Sequence, residues 1–167
     1  MILYVTHIFV VKIDLLKREV NSMKEIIPYE RNVYYYETDR MGIVHHSNYI
    51  KWFEEARIDF LEQIGYSFKR IEDEGLMIPV LSVSCTYRRP MIYGDTFVVK
   101  LMPEAFNGIK FFVKYEITKK NSEEICITGE SSHCFVDKDM KPVLIRKTNE
   151  QLYNVFKENF YSKIKNK

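Results

Sequence analysis

The stretch that decides the fold runs from residue 34 to residue 57 and reads YYYETDRMGIVHHSNYIKWFEEAR. It begins rich in tyrosine, continues as a polar loop in which Gly42 is expected to let the backbone turn sharply, and changes character at Asn48. From there apolar residues recur every three or four positions, which predicts a helix over 48–64 that Gly65 ends as a C-cap. The apolar positions that define this spacing are Tyr49, Trp52, Phe53, Ala56, Phe60 and Ile64.

The segments around this helix have the composition of strands. Residues 28–37, rich in Tyr and Val, predict a strand before it. A short second helix is predicted at 67–74, and beyond it the apolar period changes from about four to two. This alternation predicts four further strands, at 81–87, 96–102, 111–117 and 125–136, and the first of them is expected to be half-buried.

The end of the chain returns to helical spacing. We predict a β-bulge at Gly129, a brief extension of the sheet at 143–146 and a helix from Asn149. The order is therefore one strand, one long helix and then at least four antiparallel strands. That order is typical of an α+β fold, in which a five- or six-stranded antiparallel sheet can wrap around the helix.

Length and composition limit the class of protein. A chain of 167 residues with 46% hydrophobic and 29% charged residues is expected to form one globular domain. The net charge of +2 provides no concentrated basic surface, so no nucleic-acid partner is predicted. Three cysteines without metal-ligand spacing predict free thiols, no metal site and a cytoplasmic location.

The N-terminus is treated separately from the domain. Its apolar run, residues 2–11, stops at Lys12 and is about half of the roughly 20 residues that a membrane-spanning helix needs. It also lacks the basic start and small-residue cleavage site of a signal peptide. We therefore predict no membrane insertion and interpret residues 1–22 as an appendage, with an additional packed strand or helix as the alternative.

The loop before the long helix carries the candidate chemistry. It places Asp39 a few residues ahead of a helix start, where backbone N–H groups lack intrahelical acceptors and carry partial positive charge. Such groups can stabilise a carbonyl oxygen as it becomes negative, while a carboxylate on the other side acts as nucleophile or base. The alternative is structural, because Thr38 or Asp39 could simply cap the helix.

The same segment resembles the signature of hotdog-fold thioesterases of the 4-hydroxybenzoyl-CoA thioesterase type, which includes the Tol–Pal-associated acyl-CoA thioesterases. The resemblance rests on the tyrosine-rich strand and on the positions listed at the end of this paragraph. It continues more loosely through RRPMIYGD, residues 88–95, to about residue 143. The matching positions are Thr38-Asp39, Gly42-Ile43-Val44, His46, Asn48-Tyr49 and Glu54 to Arg57.

The resemblance implies a hotdog domain over residues 23–148, followed by a C-terminal helix and tail over 149–167. It implies acyl-CoA hydrolysis without a cofactor, with Asp39 as catalytic nucleophile or general base and the backbone amide of His46 polarising the thioester carbonyl. Substrate-binding positions implied by it are Gly42, Ile43, Val44 and Tyr49. The family commonly carries Pro-Ala or Ala-Gly where this chain has Arg40-Met41, a departure that concerns access to the acyl pocket.

Basic residues are candidates for binding the phosphates of coenzyme A. Arg88 and Arg89 are adjacent at a strand end, so one of them can face a nucleotide, and Lys110 is a second candidate. The family assembles as dimers or dimers of dimers through sheet edges, which predicts a homo-oligomer with a site at the subunit interface. Two other functions fit the same fold, namely a hydratase or dehydratase and a non-catalytic acyl-CoA binding protein.

Overall fold

The computed structural model describes residues 26–160 and the backbone of 162–163, so the predicted appendage at 1–22 lies outside the described residues. Four helices and six strands are described. The helices are α1 (Ser47–Gln63), α2 (Phe68–Asp73), α3 (Ile145–Thr148) and α4 (Glu150–Asn159). The strands are β1 (Tyr29–Asn32), β2 (Val80–Tyr87), β3 (Thr96–Phe106), β4 (Lys110–Lys119), β5 (Ile125–Cys134) and β6 (Ser162–Lys163).

One sheet packs against the long helix. Its order is β1-β3-β4-β5-β2 with antiparallel neighbours, and β6 runs parallel to β3. Helix α1 contacts the sheet through stacked aromatic rings, Trp52 on Phe97 at 3.9 Å and Phe53 on Tyr115 at 4.3 Å between centroids. The predicted α+β arrangement and the predicted long helix are therefore confirmed.

Gly129 allows this helix to approach the sheet. A Cβ at this position would lie 2.3 Å from Cε2 of Phe53 and 2.9 Å from the backbone oxygen of Ser84. The predicted bulge is wrong, because Gly129 pairs regularly with Cys85 on one side and Tyr115 on the other. The glycine is required by the ring above it and not by an irregular strand.

Two other strand predictions are wrong in part. The strand predicted over 28–37 ends at Asn32, and Tyr35–Glu37 form a 3-10 turn because the Glu37 carboxylate accepts the Tyr34 N–H at 2.8 Å. The extension predicted at 143–146 is instead the start of helix α3, whose Ile145 is buried in the core. A local hydrogen bond redirects the backbone in the first segment, and a buried side chain does so in the second.

The predicted C-terminal helix is confirmed as α4. The Asn149 side chain caps it by accepting the Leu152 N–H at 3.0 Å. Its buried Phe156 contacts Phe111 and Phe135, with ring centroids 5.2 and 5.1 Å apart, so α4 shares the core of the sheet. Within the described part of the chain, no helix has the length and apolar character needed to cross a membrane.

Strand β2 lies at a free edge of the sheet. Among the described strands only β5 pairs with it, and its apolar residues stay accessible, with Val80 53% and Leu81 48% exposed. The prediction that this strand is half-buried is therefore wrong for the single chain. An accessible row of N–H and C=O groups beside apolar side chains is what a pairing surface presents.

A polar cluster is buried between α1 and this edge. We call it the Arg57 cluster, and its members are Arg57, Tyr115, Ser131 and His133. The Ser131 hydroxyl lies 2.8 Å from the Tyr115 hydroxyl and 2.7 Å from Nε2 of His133. Burial and the nearby Arg57 charge lower the pKa of His133 to about 3, so its imidazole is neutral in the folded protein.

This shift predicts a loss of stability at mildly acidic pH. In the unfolded chain His133 titrates near 6.5, so below that pH the unfolded state binds more protons and is favoured. Between pH 7.5 and pH 5.0, protonation of His133 in the unfolded chain should lower the free energy of unfolding by about 2 kcal/mol. This part of the loss should be absent in His133→Gln. Urea unfolding of both proteins at one protein concentration measures it; equal losses in the two would contradict it.

Candidate active site

The candidate site is built on a tight hairpin before α1. Thr38 pairs with Val44, and the Asp39 N–H donates to the Ile43 carbonyl at 2.9 Å. The chain reverses at Gly42, whose N–H donates to the Asp39 carbonyl at 2.9 Å and whose φ is +76°. A positive φ at this position favours glycine, so the sequence-based expectation of a sharp turn here is confirmed.

The Asp39 side chain is held by the turn itself. Its Oδ1 accepts the N–H of Met41 at 2.8 Å, as in an Asx turn. Among the described residues, no hydrogen bond is made to its Oδ2. One carboxylate oxygen is thus fixed by the backbone, and the other is available to a substrate or to water.

A second contact brings a distant segment next to this hairpin. The Val44 N–H donates to the Met91 carbonyl at 2.8 Å, and Ile43 forms a bridge with Ile92. These bonds place the segment that follows β2 against the hairpin. Arg88, Arg89 and Pro90 therefore reach the same side of the molecule as Asp39.

The hairpin is anchored by a buried carboxylate. Glu37, 3% exposed, binds Arg31 through two hydrogen bonds of 2.6 and 3.0 Å and accepts the Trp52 indole N–H at 2.8 Å. Burial alone would raise the pKa of Glu37, but the hydrogen bonds from Arg31 and Trp52 outweigh it and hold the pKa below its usual value. Glu37 is therefore ionised, and it links β1, the hairpin and α1.

The backbone of Glu37 positions the start of α1. Its carbonyl accepts the Asn48 side-chain amide at 2.7 Å and the His45 N–H at 2.8 Å. Asn48 is buried, so this amide is committed to the contact. Glu37 consequently joins the Asp39 hairpin to the first turn of the helix.

The helix begins with an open donor. His46 is its N-cap residue, has helical dihedrals and provides no side-chain cap. The N–H groups of Val44, His45 and Asn48 are bonded to backbone carbonyls, whereas that of His46 makes no hydrogen bond within the described residues. An unbonded N–H at a helix N-terminus stabilises a ligand atom that carries partial negative charge.

These groups share one cleft of about 310 Å³. Its lining combines apolar and basic residues, and both Asp39 and His46 belong to it. Of the positions predicted from the sequence, seven line it. The lining residues are Asp39, Met41, Ile43, Val44, His46, Tyr49, Tyr87, Arg88, Arg89 and Pro90.

Two predicted residues do not line the cleft. Gly42 forms the turn beside it. Lys110 pairs with Cys134, whereas Tyr87 at the cleft pairs with Ile127, so seven residues of β5 separate the two positions. A strand rises about 3.3 Å per residue, which puts Lys110 roughly 23 Å from the cleft within one chain.

The phosphate-binding candidates differ in what they contact. Arg88 and Arg89 both donate their backbone N–H groups to the Cys126 carbonyl, at 2.9 and 3.0 Å. The Arg89 guanidinium forms an ion pair with Glu124, while that of Arg88 forms no ion pair within the described part of the chain. Arg88 is therefore the more available of the two for an anionic ligand.

The sequence interpretation missed Tyr87 and Pro90 as cleft residues. Tyr87 donates to the His46 carbonyl at 3.3 Å and packs on Tyr49, with ring centroids 5.6 Å apart. Burial raises the pKa of both tyrosines to about 12, so both are neutral donors at physiological pH. The only signal in the sequence was that Tyr87 and Pro90 lie directly before and after Arg88-Arg89.

Four other aromatic residues of the segment 34–57 do not line the cleft. Trp52 and Phe53 are buried under the sheet, and Tyr34 and Tyr36 are exposed and stacked on each other with centroids 5.4 Å apart. Across residues 26–160, no group of three His, Cys, Asp or Glu side chains is arranged to hold a metal ion. The cleft itself presents carboxylate, amide and guanidinium groups.

Comparisons with known proteins agree with this architecture. The family model described as the thioesterase-like superfamily matches residues 33–155. The Bacillus subtilis protein YneP, provisionally named an acyl-CoA thioesterase, is 39% identical over 127 residues, which cover 75% of this chain and 88% of the relative. A 1,4-dihydroxy-2-naphthoyl-CoA hydrolase of Prochlorococcus marinus is 30% identical over 119 residues, covering 66% and 79%.

Solved structures extend the agreement to the fold. The DHNA-CoA thioesterase of Staphylococcus aureus superposes with a TM-score of 0.75 at 28% identity, covering 79% of this chain and 89% of that one. The resemblance to the 4-hydroxybenzoyl-CoA and Tol–Pal subtype is matched only at the level of the superfamily. The chain belongs to the thioesterase-like superfamily of hotdog-fold thioester hydrolases.

Proposed function

We propose that this protein is an acyl-CoA thioesterase that hydrolyses its substrate to a carboxylic acid and free coenzyme A. The observation that supports this most is the shared cleft, whose mostly apolar lining includes Asp39, with its unbonded Oδ2, and His46, with its open N–H. The apolar residues of the lining suit an acyl group, and Arg88 and Arg89 in the same lining suit phosphates.

The reaction follows from these groups. The thioester carbonyl oxygen accepts the His46 N–H, which stabilises the negative charge that develops on that oxygen. As general base, Asp39 takes a proton from water while the oxygen of that water attacks the carbonyl carbon. The C–S bond then breaks, and the coenzyme A thiolate takes up a proton. As nucleophile, Asp39 would instead form a mixed anhydride that water cleaves.

The proposed enzyme is a homodimer or a dimer of dimers that joins through the free edge of β2. The exposed apolar residues of that strand support this, because an unpaired edge is a liability for a single chain. In such an assembly Lys110, roughly 23 Å from its own cleft, would serve the site of the other subunit. The free thiols of Cys85, Cys126 and Cys134 fit the proposed cytoplasmic location.

Thiol release from a panel of thioesters tests the function. The panel contains acetyl-, octanoyl-, palmitoyl-, benzoyl- and 1,4-dihydroxy-2-naphthoyl-CoA, with crotonyl-CoA as a substrate for hydration. We expect hydrolysis of at least one thioester with kcat/KM above about 10⁴ M⁻¹s⁻¹, the lower end for enzymes on their own substrates.

Each alternative outcome has its own meaning. Hydration of crotonyl-CoA without thiol release would replace the proposal with a hydratase. Binding of an acyl-CoA by calorimetry without any turnover would replace it with a binding protein. In either case the fold assignment would stand and the role of Asp39 would not.

A further inference from the structure

A buried cation in this chain lacks the partners it needs. The Arg57 side chain is 4% exposed, and its Nη1 makes no hydrogen bond among the described residues. The nearest carboxylate, Glu54 Oε1, lies 3.8 Å from Nη2, which is beyond hydrogen-bond distance, and the Glu54 side chain is 61% exposed. The guanidinium also lies over the Phe68 ring, 5.7 Å from its centroid, but this contact gives Nη1 no hydrogen-bond acceptor. A buried guanidinium with an unbonded nitrogen is poorly compensated for its lost hydration.

A small cavity opens beside this guanidinium. It measures about 80 Å³, lies between α1 and β2 and reaches the accessible edge of the sheet. Two of its lining residues carry a buried nitrogen that makes no hydrogen bond among the described residues, Nη1 of Arg57 and Nδ1 of His133. Its remaining lining residues are Ile50, Phe53, Glu54, Val80, Val83, Tyr115 and Ser131.

The surface around this cavity is complementary to itself. Ile50 and Ile58, 40% and 37% exposed, flank Glu54 at four-residue spacing on the outer side of α1. The exposed Val80 and Val83 of β2 continue the apolar surface across the cavity. One patch thus carries apolar side chains, a buried positive charge and an exposed negative charge, which is what a two-fold contact between identical chains requires.

Within the β2 dimer, we propose that the Glu54 carboxylate of each subunit enters the cavity of the other across the two-fold axis and binds Arg57. The proposal depends on the β2 dimer of the previous subsection and not on thioester hydrolysis. The exposed carboxylate of one subunit and the unbonded Nη1 of the other then become each other's partner. The dimer gains two symmetric ion pairs.

A charge exchange between subunits tests the pairing directly. Chains carrying Glu54→Lys or Arg57→Glu should each form weak homodimers, because like charges then meet at both contacts. Mixed together, they should form a heterodimer enriched about tenfold or more over the statistical ratio, as native mass spectrometry of mass-labelled chains measures. A pairing confined to Glu54 and Arg57 of one chain would give the statistical ratio.

A milder variant covers the case in which Arg57→Glu fails to fold. Glu54→Gln changes an exposed side chain only and should raise the dimer dissociation constant about tenfold. Glu62→Gln, an exposed change elsewhere on α1, is the matched control and should leave it unchanged. A dimer unaffected by Glu54→Gln would overturn the ion pair alone, and a monomer at all concentrations would overturn the dimer as well.

Discussion

Replacing Asp39 with asparagine should lower kcat/KM for thioester hydrolysis about a thousandfold and leave the fold intact. Asparagine keeps a side-chain oxygen that can accept the Met41 N–H, now bonded at 2.8 Å, so the turn should persist. It loses the negative charge and the basic oxygen that the reaction needs. Thiol release from the best substrate of the panel measures the effect, with circular dichroism as the check on folding.

Asp137 provides a matched control for this substitution. Its Oδ1 also accepts a backbone N–H two residues on, that of Asp139 at 2.9 Å, but it does not line the cleft. Asp137→Asn therefore makes the same chemical change in the same kind of turn and should preserve activity. Full activity in Asp39→Asn would show that another group supplies the base or nucleophile.

Replacing Glu37 with alanine should lower the free energy of unfolding by about 3 kcal/mol. The change removes the acceptor for Arg31, for the Trp52 indole and for the Tyr34 N–H, and so leaves a largely buried guanidinium without one of its two carboxylates. Urea unfolding at pH 7.5 measures it. Activity should fall as well, because the Glu37 backbone holds both His45 and Asn48.

Glu55→Ala is the control that separates the contribution of burial to the free energy of unfolding from that of ion pairing. It also binds Arg31, at 2.8 Å, but its side chain is 37% exposed against 3% for Glu37. Glu55→Ala should therefore cost about 1 kcal/mol or less. Equal losses in the two variants would mean that the Glu37 network is no stronger than an ordinary surface pair.

Sequence alone could predict the elements that depend on local pattern. The helix over 48–64 was visible in its apolar spacing, and it is present as Ser47–Gln63. The turn at Gly42 and the C-terminal helix followed from residue types at fixed local offsets. The neighbourhood of Asp39 and His46 in the cleft followed from their short separation around one helix start.

Features set by distant contacts could not be predicted in this way. The first strand ends early because Glu37 binds Arg31 and Trp52, residues that no local pattern connects. Glycine at 129 is explained by Phe53, 76 positions earlier in the chain. Local periodicity also gave no sign that Arg57, three positions after Glu54 on the helix, is buried.

Cleft residues from the later part of the chain also could not be predicted from local sequence pattern. Tyr87 and Pro90 reach the hairpin only because β2 pairs with β5 and because Met91 binds Val44. Lys110 and Arg88 look equivalent as isolated basic residues, yet sheet register places them at opposite ends of β5. Register is a property of the assembled sheet and cannot be read from one strand.

The Asp39–Gly42 turn also determines how this loop can vary between related proteins. Its bonds use the backbone N–H groups of Met41 and Gly42 but neither the side chain of Arg40 nor that of Met41, and both side chains are exposed. Position 40 accepts proline, since it is the second residue of the turn, whereas position 41 must keep its N–H. Substitutions can therefore change the side chain of Met41, which lines the cleft, and that of Arg40 beside it, while the turn that orients the carboxylate is kept.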